Sequence, residues 1–550
     1  MNVAELVVQC LEAEGNEYVF GVPGEENADF LQALEQSKKI RFVLTRHEQG
    51  AAFMAEVYGR LTGNPAVAMG TLGPGATNLV TGVANANMDR APLIVLTGQG
   101  AVSRLHKESH QVMDVVHMFE PVTKWATSVW APDTLPEIVR KAVRIARTEK
   151  PGAVHIELPE DVDAMPAEDS PLTPKRFRRP VPDDKIVDAA FDLLKRARRP
   201  VIIAGNGCIR TRASKQLRRF CDATGIGVMT TFMAKGAVDM DAEYCLYTIG
   251  LGTKDRMSTV IDDADLGVTL GFDMVEYHPH LWNPGGDKLI IHADFLPAEI
   301  DANYHPDVEL VGDLAHTLWM LTERVTAGPT LQFDFELQQK VREQMQADIS
   351  EHAKDATVGS VRPQKALWDA RAVLGPNDLL LSDVGAHKMW VARHYHCHEP
   401  NTCLIPNGFC SMGFALPGAI AASLVYPERR VLAVAGDGGF LMNVQEMETA
   451  TRLGVTPVVM VWEDGGYGLI AWKQETEFDR HTDLAFGNPD WLQLASAFGW
   501  HGQRVAGAGE LRDALETAFA ADRPALVVVP IDYRENQRLT RKLGKITASI

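Results

Sequence analysis

The chain has 550 residues, too many for one core, so two to four domains are expected. Hydrophobic residues make up 46% and charged ones 23%, an ordinary globular balance, and no apolar run reaches membrane-spanning length. A net charge of −18 without a basic stripe argues against nucleic-acid binding, and seven scattered cysteines with no CxxC spacing fit reduced core thiols.

The sequence opens MNVAELVVQCLEAEG, an amphipathic helix with acidic residues rather than a signal or transit peptide, and a cytoplasmic protein is expected. Residues 1–165 then alternate apolar runs (YVFGV, RFVLT, AVAMG, LIVLTG, AVHIEL) with helical patterns, the mark of a mainly parallel, helix-covered sheet. RFVLT runs into Arg46-His47-Glu48-Gln49-Gly50, a helix start at the ligand-binding edge of such a sheet. Read alone, Glu48 is an acid favoured at a helix N-terminus. Proline and charge replace periodic hydrophobics at 166–184, and the basic cluster Lys175-Arg176-Arg178-Arg179 there reads as solvated linker.

A second block, 185–330, carries PVIIAG, GVMTT, LGVTLG and KLIIHAD. Its Ala204-Gly205-Asn206-Gly207 is an incomplete GxGxxG, a weak sign of dinucleotide binding. A charged helical linker, 331–362, leads to a third block, 363–533, with DLLLSDVG, VLAVAGDG, PVVMVW and ALVVVPID. The tail, 534–550, with Arg538, Arg541, Lys542 and Lys545, reads as a surface feature. The expected fold class is α/β, three doubly wound domains with mainly parallel central sheets, of which the first and third could share a fold.

The third block holds the most chemistry. VLAVA stops at Gly436-Asp437-Gly438-Gly439, and PVVMVW ends at Glu463-Asp464. Asp437 and Asp464, 27 residues apart, therefore both fall at C-terminal ends of strands, where ligands collect in parallel sheets. Two carboxylates with a backbone carbonyl leave room for phosphate oxygens and water, which suits Mg²⁺. Gly438 and Gly439 let the backbone approach a diphosphate at the following helix start.

The collinear motifs GVPGEEN, TRHEQGAAFMAEVYGRLTG, LGPGATNLVTG, PLIVLTGQ, SDVGAHKMWVAR, SMGFALPGAI, GDGGFLMNVQEMETA and VVVPIDY span nearly the whole chain. Together they resemble the acetolactate/acetohydroxyacid synthase branch of the thiamine diphosphate (ThDP) enzymes. LGFDMVEYHPHLWN and FGNPDWLQLASAFG lean towards the catabolic acetolactate synthases. The resemblance implies a pyrimidine-binding domain, a middle domain and a diphosphate domain. It makes Glu48 the carboxyl group that activates the cofactor, with Pro23, Gly24, Pro74 and Asn78 around the aminopyrimidine. Val384, Gly385, Ala386 and His387, with Gly436, Gly438 and Gly439, would hold the diphosphate, and Asp437, Asp464 and the Gly466 carbonyl would bind Mg²⁺. Met412 matches the apolar wedge between the cofactor rings, and Tyr467, Gly468, Leu469 and Ile470 line the thiazolium side. Gln99 and Gln111 resemble substrate-pocket amides, and Lys124 in PVTKW is a candidate for attracting a carboxylate. A homodimer or dimer of dimers is implied, with Glu48 and Asp437 serving one site from different chains.

Three departures bear on the reaction. Glu25 stands where the synthases carry Gly or Ala, and an acid there resembles decarboxylases that protonate the carbanion left after CO₂ loss; Glu25 and Gln111 are therefore candidate catalytic groups beside Glu48. Those decarboxylases also carry glutamate at the position of Ile470 and a His-His pair near His110-Gln111; here the first is apolar and the pair half present. An apolar cap that excludes water favours carboligation. Lys473 adds charge near the acceptor position. Finally, Gly271-Phe272-Asp273-Met274-Val275-Glu276 departs from the FDDR-like segment of flavin-binding members, so tightly bound FAD is not expected. The expected activity is a ThDP- and Mg²⁺-dependent carboligase that decarboxylates pyruvate and condenses the product with a second 2-oxoacid to give 2-acetolactate. The alternatives are a non-oxidative 2-oxoacid decarboxylase releasing an aldehyde and, more remotely, a catalytically silent ThDP-fold binding protein.

Overall fold

The computed structural model describes residues 1–175, 178–253 and 255–544. Arg176 of the linker cluster and Lys545 of the tail lie outside the described residues. Three six-stranded sheets follow one another along the chain. The first holds β1 (Tyr18–Gly21), β2 (Arg41–Leu44), β3 (Ala66–Gly70), β4 (Leu93–Gln99), β5 (Trp125–Ser128) and β6 (Ala153–Pro159), ordered β2-β1-β3-β4-β6-β5. The second holds β7 (Pro200–Ala204), β8 (Val228–Thr230), β9 (Cys245–Thr248), β10 (Leu266–Leu270), β11 (Leu289–Asp294) and β12 (Val308–Val311), ordered β12-β11-β10-β7-β8-β9. The third holds β13 (Leu379–Ser382), β14 (Cys403–Leu404), β15 (Val431–Gly436), β16 (Val458–Glu463), β17 (His501–Arg504) and β18 (Ala525–Pro530), ordered β14-β13-β15-β16-β18-β17.

Neighbouring strands are parallel in all three sheets. The first and third sheets have the same strand order once numbered from their own first strand, so the two blocks share a topology. The middle sheet has the order of the dinucleotide-binding α/β fold. The three-domain α/β class read from the sequence is the architecture found.

Strand composition explains the layering. In β4, Leu93 and Val95 enter one buried cluster and Ile94 and Leu96 another, because successive side chains point to opposite faces. A sheet covered on both faces needs continuous apolar runs, and LIVLTGQ is buried along its whole length. One face of the first sheet and one face of the third share a single core, into which the helices Glu48–Thr62 and Ala415–Val425 are packed. The other face of the third sheet (Leu380, Leu432, Val434, Met460) continues into the core of the middle domain. The linker 331–362 contains the helix Glu336–Ser350.

The topology has a chemical consequence. In the first sheet β1 and β3 are neighbours whose outgoing connections diverge, and in the third β13 and β15 are. Each pair opens a crevice at its C-terminal ends, where ligands bind in such sheets. At the corresponding edge of the middle sheet, Gly205 is pressed against Gly271, so that a Cβ on it would stand 2.4 Å from the Gly271 carbonyl oxygen. Beside it, Asp273 takes Arg210 at 2.8 Å and Lys150 at 2.7 Å.

Among the described residues no helix is long and apolar enough to cross a membrane.

Candidate active site

The crevice of the first sheet gathers one group of predicted residues. Glu48 is the first residue of its helix and only 7% exposed. The Asn78 side-chain amide donates to Glu48 Oε2 at 3.0 Å, and no hydrogen bond among the described residues takes Oε1. Asn78 comes from the helix Pro74–Met88, whose first turn Pro74 fits because it has no N–H to leave unpaired. Gly24 follows β1 and faces Thr71 after β3 so closely that a Cβ would stand 2.4 Å from the Thr71 hydroxyl oxygen; any larger residue would part the two loops. Thr71 in turn donates to Glu26 at 2.8 Å. Pro23 and Glu25 are exposed beside Gly24, and Gln111, also exposed and with a φ of 56°, lies over Gly73.

Gln99 and Lys124 are engaged elsewhere. The Gln99 amide nitrogen donates to the Met113 carbonyl at 2.9 Å and to Glu157 at 2.8 Å, and its oxygen accepts from the Gly100 N–H at 3.0 Å. Its carboxamide is thus spent inside the protein at the end of β4. Lys124 donates to the Ile145 and Thr148 carbonyls at 2.6 and 2.8 Å, at the end of the helix Leu135–Arg147. The unpaired carbonyls of a helix C-terminus favour a cation, so this lysine has a structural task.

The crevice of the third sheet gathers the second group. Asp437, buried, begins the helix Asp437–Leu441 directly after β15. Its carboxylate accepts from the N–H of Gly438 (2.8 Å), Asp464 (3.2 Å) and Gly465 (2.7 Å) and from the Asn488 amide (2.8 Å). Asp464, after β16, is open to solvent on one side. Even so, the protein packed around it and then the charge of Asp437 push its carboxyl up to about 8. Two carboxylates held this close offer the hard oxygen ligands a divalent cation takes, so this pair fits Mg²⁺.

Across the crevice, Val384 and Gly385 lead from β13 into the helix Ala386–His394. Burial pushes the His387 ring down to about 3, leaving it neutral, and its buried Nε2 has no hydrogen-bond partner. Gly436 adjoins this ring, where a Cβ would stand 3.3 Å away. On Gly438 a Cβ would meet the Tyr467 ring at 3.1 Å and the Phe486 ring at 3.2 Å. A buried ring nitrogen without a partner, which donates when it carries the ring's one proton, beside a turn with little room for side chains fits a bound diphosphate.

Met412, half-buried, is held by its neighbours. The Gly413 N–H donates to Asp383 at 2.9 Å, the Gly413 carbonyl accepts from Asn443 at 2.8 Å, and the Ser411 N–H donates to Asn85 at 3.1 Å. Tyr467, Leu469 and Ile470 enter the helix Gly468–Phe478, with Ile470 45% exposed and Lys473 half-buried one turn on. No hydrogen bond or ion pair among the described residues joins the Glu48 carboxylate to the Asp437 group.

Three residues not singled out from the sequence organise the site. Asp383 is pushed up to about 6 by burial, and it accepts from the N–H of Val384 (2.7 Å), Gly413 and Ala415 (3.2 Å), tying the Val384–Gly385 turn to the Met412 loop. Its position directly before VGAH at a strand end was the available signal. Asn488 anchors Asp437, as above. Glu446 accepts from the N–H of Arg46 and His47, each at 3.1 Å, and so fastens the start of the Glu48 helix to the third domain.

The raised Asp464 carboxyl gives a first expectation. A carboxyl whose folded value (about 8) lies above its unfolded value (about 4) stabilises the fold below about pH 4 and loses that contribution as pH rises towards 8. Mg²⁺ binds the ionised form and replaces the lost contribution, so the rise in Tm produced by Mg²⁺ with ThDP is expected to grow between about pH 6 and pH 8. Thermal melts with and without the pair check it; a rise independent of pH contradicts the Asp437–Asp464 assignment.

Three family models match this chain: the thiamine pyrophosphate enzyme N-terminal TPP binding domain over residues 1–118, the central domain over 187–321 and the C-terminal TPP binding domain over 383–529. Acetolactate synthase of Bacillus subtilis (strain 168) is 35% identical, with 99% of this chain and 96% of that protein covered. The catabolic acetolactate synthase of Raoultella terrigena is also 35% identical, over 98% and 97%. A probable acetolactate synthase large subunit of Methanocaldococcus jannaschii is 32% identical, over 100% and 95%.

Proposed function

The chain belongs to the thiamine pyrophosphate enzyme family, in its acetolactate synthase branch, and from that premise we propose that it decarboxylates pyruvate and joins the two-carbon unit to a second 2-oxoacid, giving 2-acetolactate. The observation that carries the reading is the pairing of two crevices: a buried, Asn78-bonded carboxylate in the first sheet and a crowded carboxylate pair in the third. Bound ThDP would supply the carbon nucleophile and take up the electron pair released when CO₂ leaves.

The chain's own residues do the rest. Glu48 Oε1, the oxygen that Asn78 leaves free, would hold or move the proton that activates the cofactor's pyrimidine. Asp437, Asp464 and the Gly466 carbonyl would hold Mg²⁺, and His387 Nε2 with the Gly436–Gly439 turn would line the diphosphate. Met412, on a loop fixed on both sides, would pack against the cofactor rings. Leu469 and Ile470 exclude water, which favours attack on a second carbonyl over protonation. A second copy would complete the site, in a homodimer or dimer of dimers, as the family resemblance implies. All seven cysteines are free thiols, which suits a reducing cytoplasm.

Glu25 favours a second reading. It is exposed beside Pro23 with no side-chain partner among the described residues, as a protonating decarboxylase would need. Stoichiometry separates the two. With ThDP and Mg²⁺, acetolactate formation releases one CO₂ for every two pyruvates consumed, whereas one CO₂ per pyruvate overturns the carboligase.

A further inference from the structure

Two short segments meet where the middle domain faces the third. Asp239-Met240-Asp241 lies in the turn before β9, and His396-Cys397-His398 follows the helix Ala386–His394 that carries His387. Their central residues are joined. The Met240 N–H donates to the Cys397 carbonyl at 3.1 Å and the Cys397 N–H to Met240 Sδ at 3.0 Å, and both side chains are buried. The four flanking residues are left around the rim of that contact. There His398 Nδ1 lies 3.1 Å from Asp239 Oδ1 and 3.6 Å from Asp241 Oδ2, and His396 Nδ1 lies 3.9 Å from Asp241 Oδ1. One ligand atom from each of Asp239, Asp241 and His398 falls within 4.8 Å of the other two.

The surroundings hold this group without neutralising it. The Asp241 N–H donates to Asp239 Oδ1 at 2.9 Å and so orients that carboxylate, as outer partners do for metal ligands. The nearby cations are turned to backbone oxygens. Arg218 donates to the His398 carbonyl at 2.5 Å, Arg371 to the His396 carbonyl at 3.2 Å, Arg342 to the Asp241 carbonyl at 2.9 Å and Lys235 to the Ala392 carbonyl at 2.8 Å. Among the described residues, no lysine or arginine makes a hydrogen bond or ion pair with either carboxylate. The Asp241 side chain is 68% exposed, which leaves an entry path from solvent.

Donor chemistry selects the ligand. A tetrahedral ion bound at about 2.0–2.2 Å holds its nitrogen and oxygen ligands roughly 3.3 Å apart, close to the separations found here. Two carboxylates balance a divalent charge, and imidazole favours Zn²⁺ over Mg²⁺ or Ca²⁺, which prefer oxygen alone. We propose that Asp239, Asp241 and His398 form a Zn²⁺ site, with His396 or water as the fourth ligand, that clips the middle domain to the third. The site shares no residue with the Asp437–Asp464 pair and does not depend on the carboligase reading.

Zn²⁺ titration of the holoenzyme tests it. The protein is freed of other metals and kept in excess ThDP and Mg²⁺, so that the Asp437–Asp464 pair is occupied. Calorimetry is expected to count one Zn²⁺ per chain, Zn²⁺ to raise the Tm, and Co²⁺ in its place to give the visible absorption of a tetrahedral ion. His398→Ala and Asp241→Asn are each expected to weaken Zn²⁺ binding about a hundredfold or more and to abolish the rise in Tm, with pyruvate consumption unchanged. Asp241 is exposed, so its variant decides the matter even where His398→Ala does not fold. Absence of Zn²⁺ binding overturns the site and leaves ordinary hydrogen-bonded surface pairs. Equal Zn²⁺ affinity in wild type and both variants also overturns it, as does Zn²⁺ binding lost only in Asp437→Asn, which would put the ion in the Mg²⁺ position.

Discussion

Replacing Glu48 by glutamine is expected to lower turnover about a hundredfold or more while ThDP still binds. The amide is nearly isosteric, and its oxygen can still accept the 3.0 Å bond from Asn78, so the helix start and the loop contacts survive. What disappears is a group able to share a proton with the pyrimidine ring. Glu48 is buried, so the lost carboxyl group is not readily replaced by bulk solvent. Steady-state rates, with cofactor affinity measured separately by calorimetry, check this result. Turnover near that of wild type removes Glu48 from the mechanism.

Asp437→Asn is expected to fail at a different step. The native carboxylate accepts from three backbone N–H groups and the Asn488 amide. Asparagine offers one acceptor oxygen and turns an N–H₂ towards donors, leaving buried N–H groups unpaired at about 1–3 kcal/mol each. It also removes a full negative charge from the metal site. ThDP and Mg²⁺ affinity should therefore fall together by about a hundredfold, with the strand-end turn loosened. Titrating ThDP at fixed Mg²⁺ checks it, and an unchanged Mg²⁺ dependence refutes the metal assignment. The two variants separate the crevices: one leaves a loaded but slow enzyme, the other an unloaded one.

Most of the fold was legible because buried parallel strands must be continuous apolar runs. Each such run in the three blocks is a strand of the expected sheet. The five strands without one, β5, β9, β12, β14 and β17, are all at sheet edges. There a strand pairs on one side only and needs no long apolar run; His501–Arg504 has none, and the buried Cys403–Leu404 is too short to show one. The candidate site was legible to the same extent. Glu48, Asp437 and Asp464 sit at ends of strands whose runs are unmistakable. Asp383, Asn488 and Glu446 draw their meaning from contacts that no local pattern announces. Glu446 reaches Arg46 across 400 residues. The same long-range pairing explains Gln99 and Lys124, whose polar atoms are taken by a neighbouring strand and by a helix end.

The central claim is that this chain makes a carbon–carbon bond after decarboxylation. The most direct test is ¹³C NMR of the product formed from labelled pyruvate by the purified protein with ThDP and Mg²⁺. The account predicts 2-acetolactate, carrying one intact pyruvate carboxylate. Acetaldehyde as the sole product would contradict it and make Glu25 the proton donor.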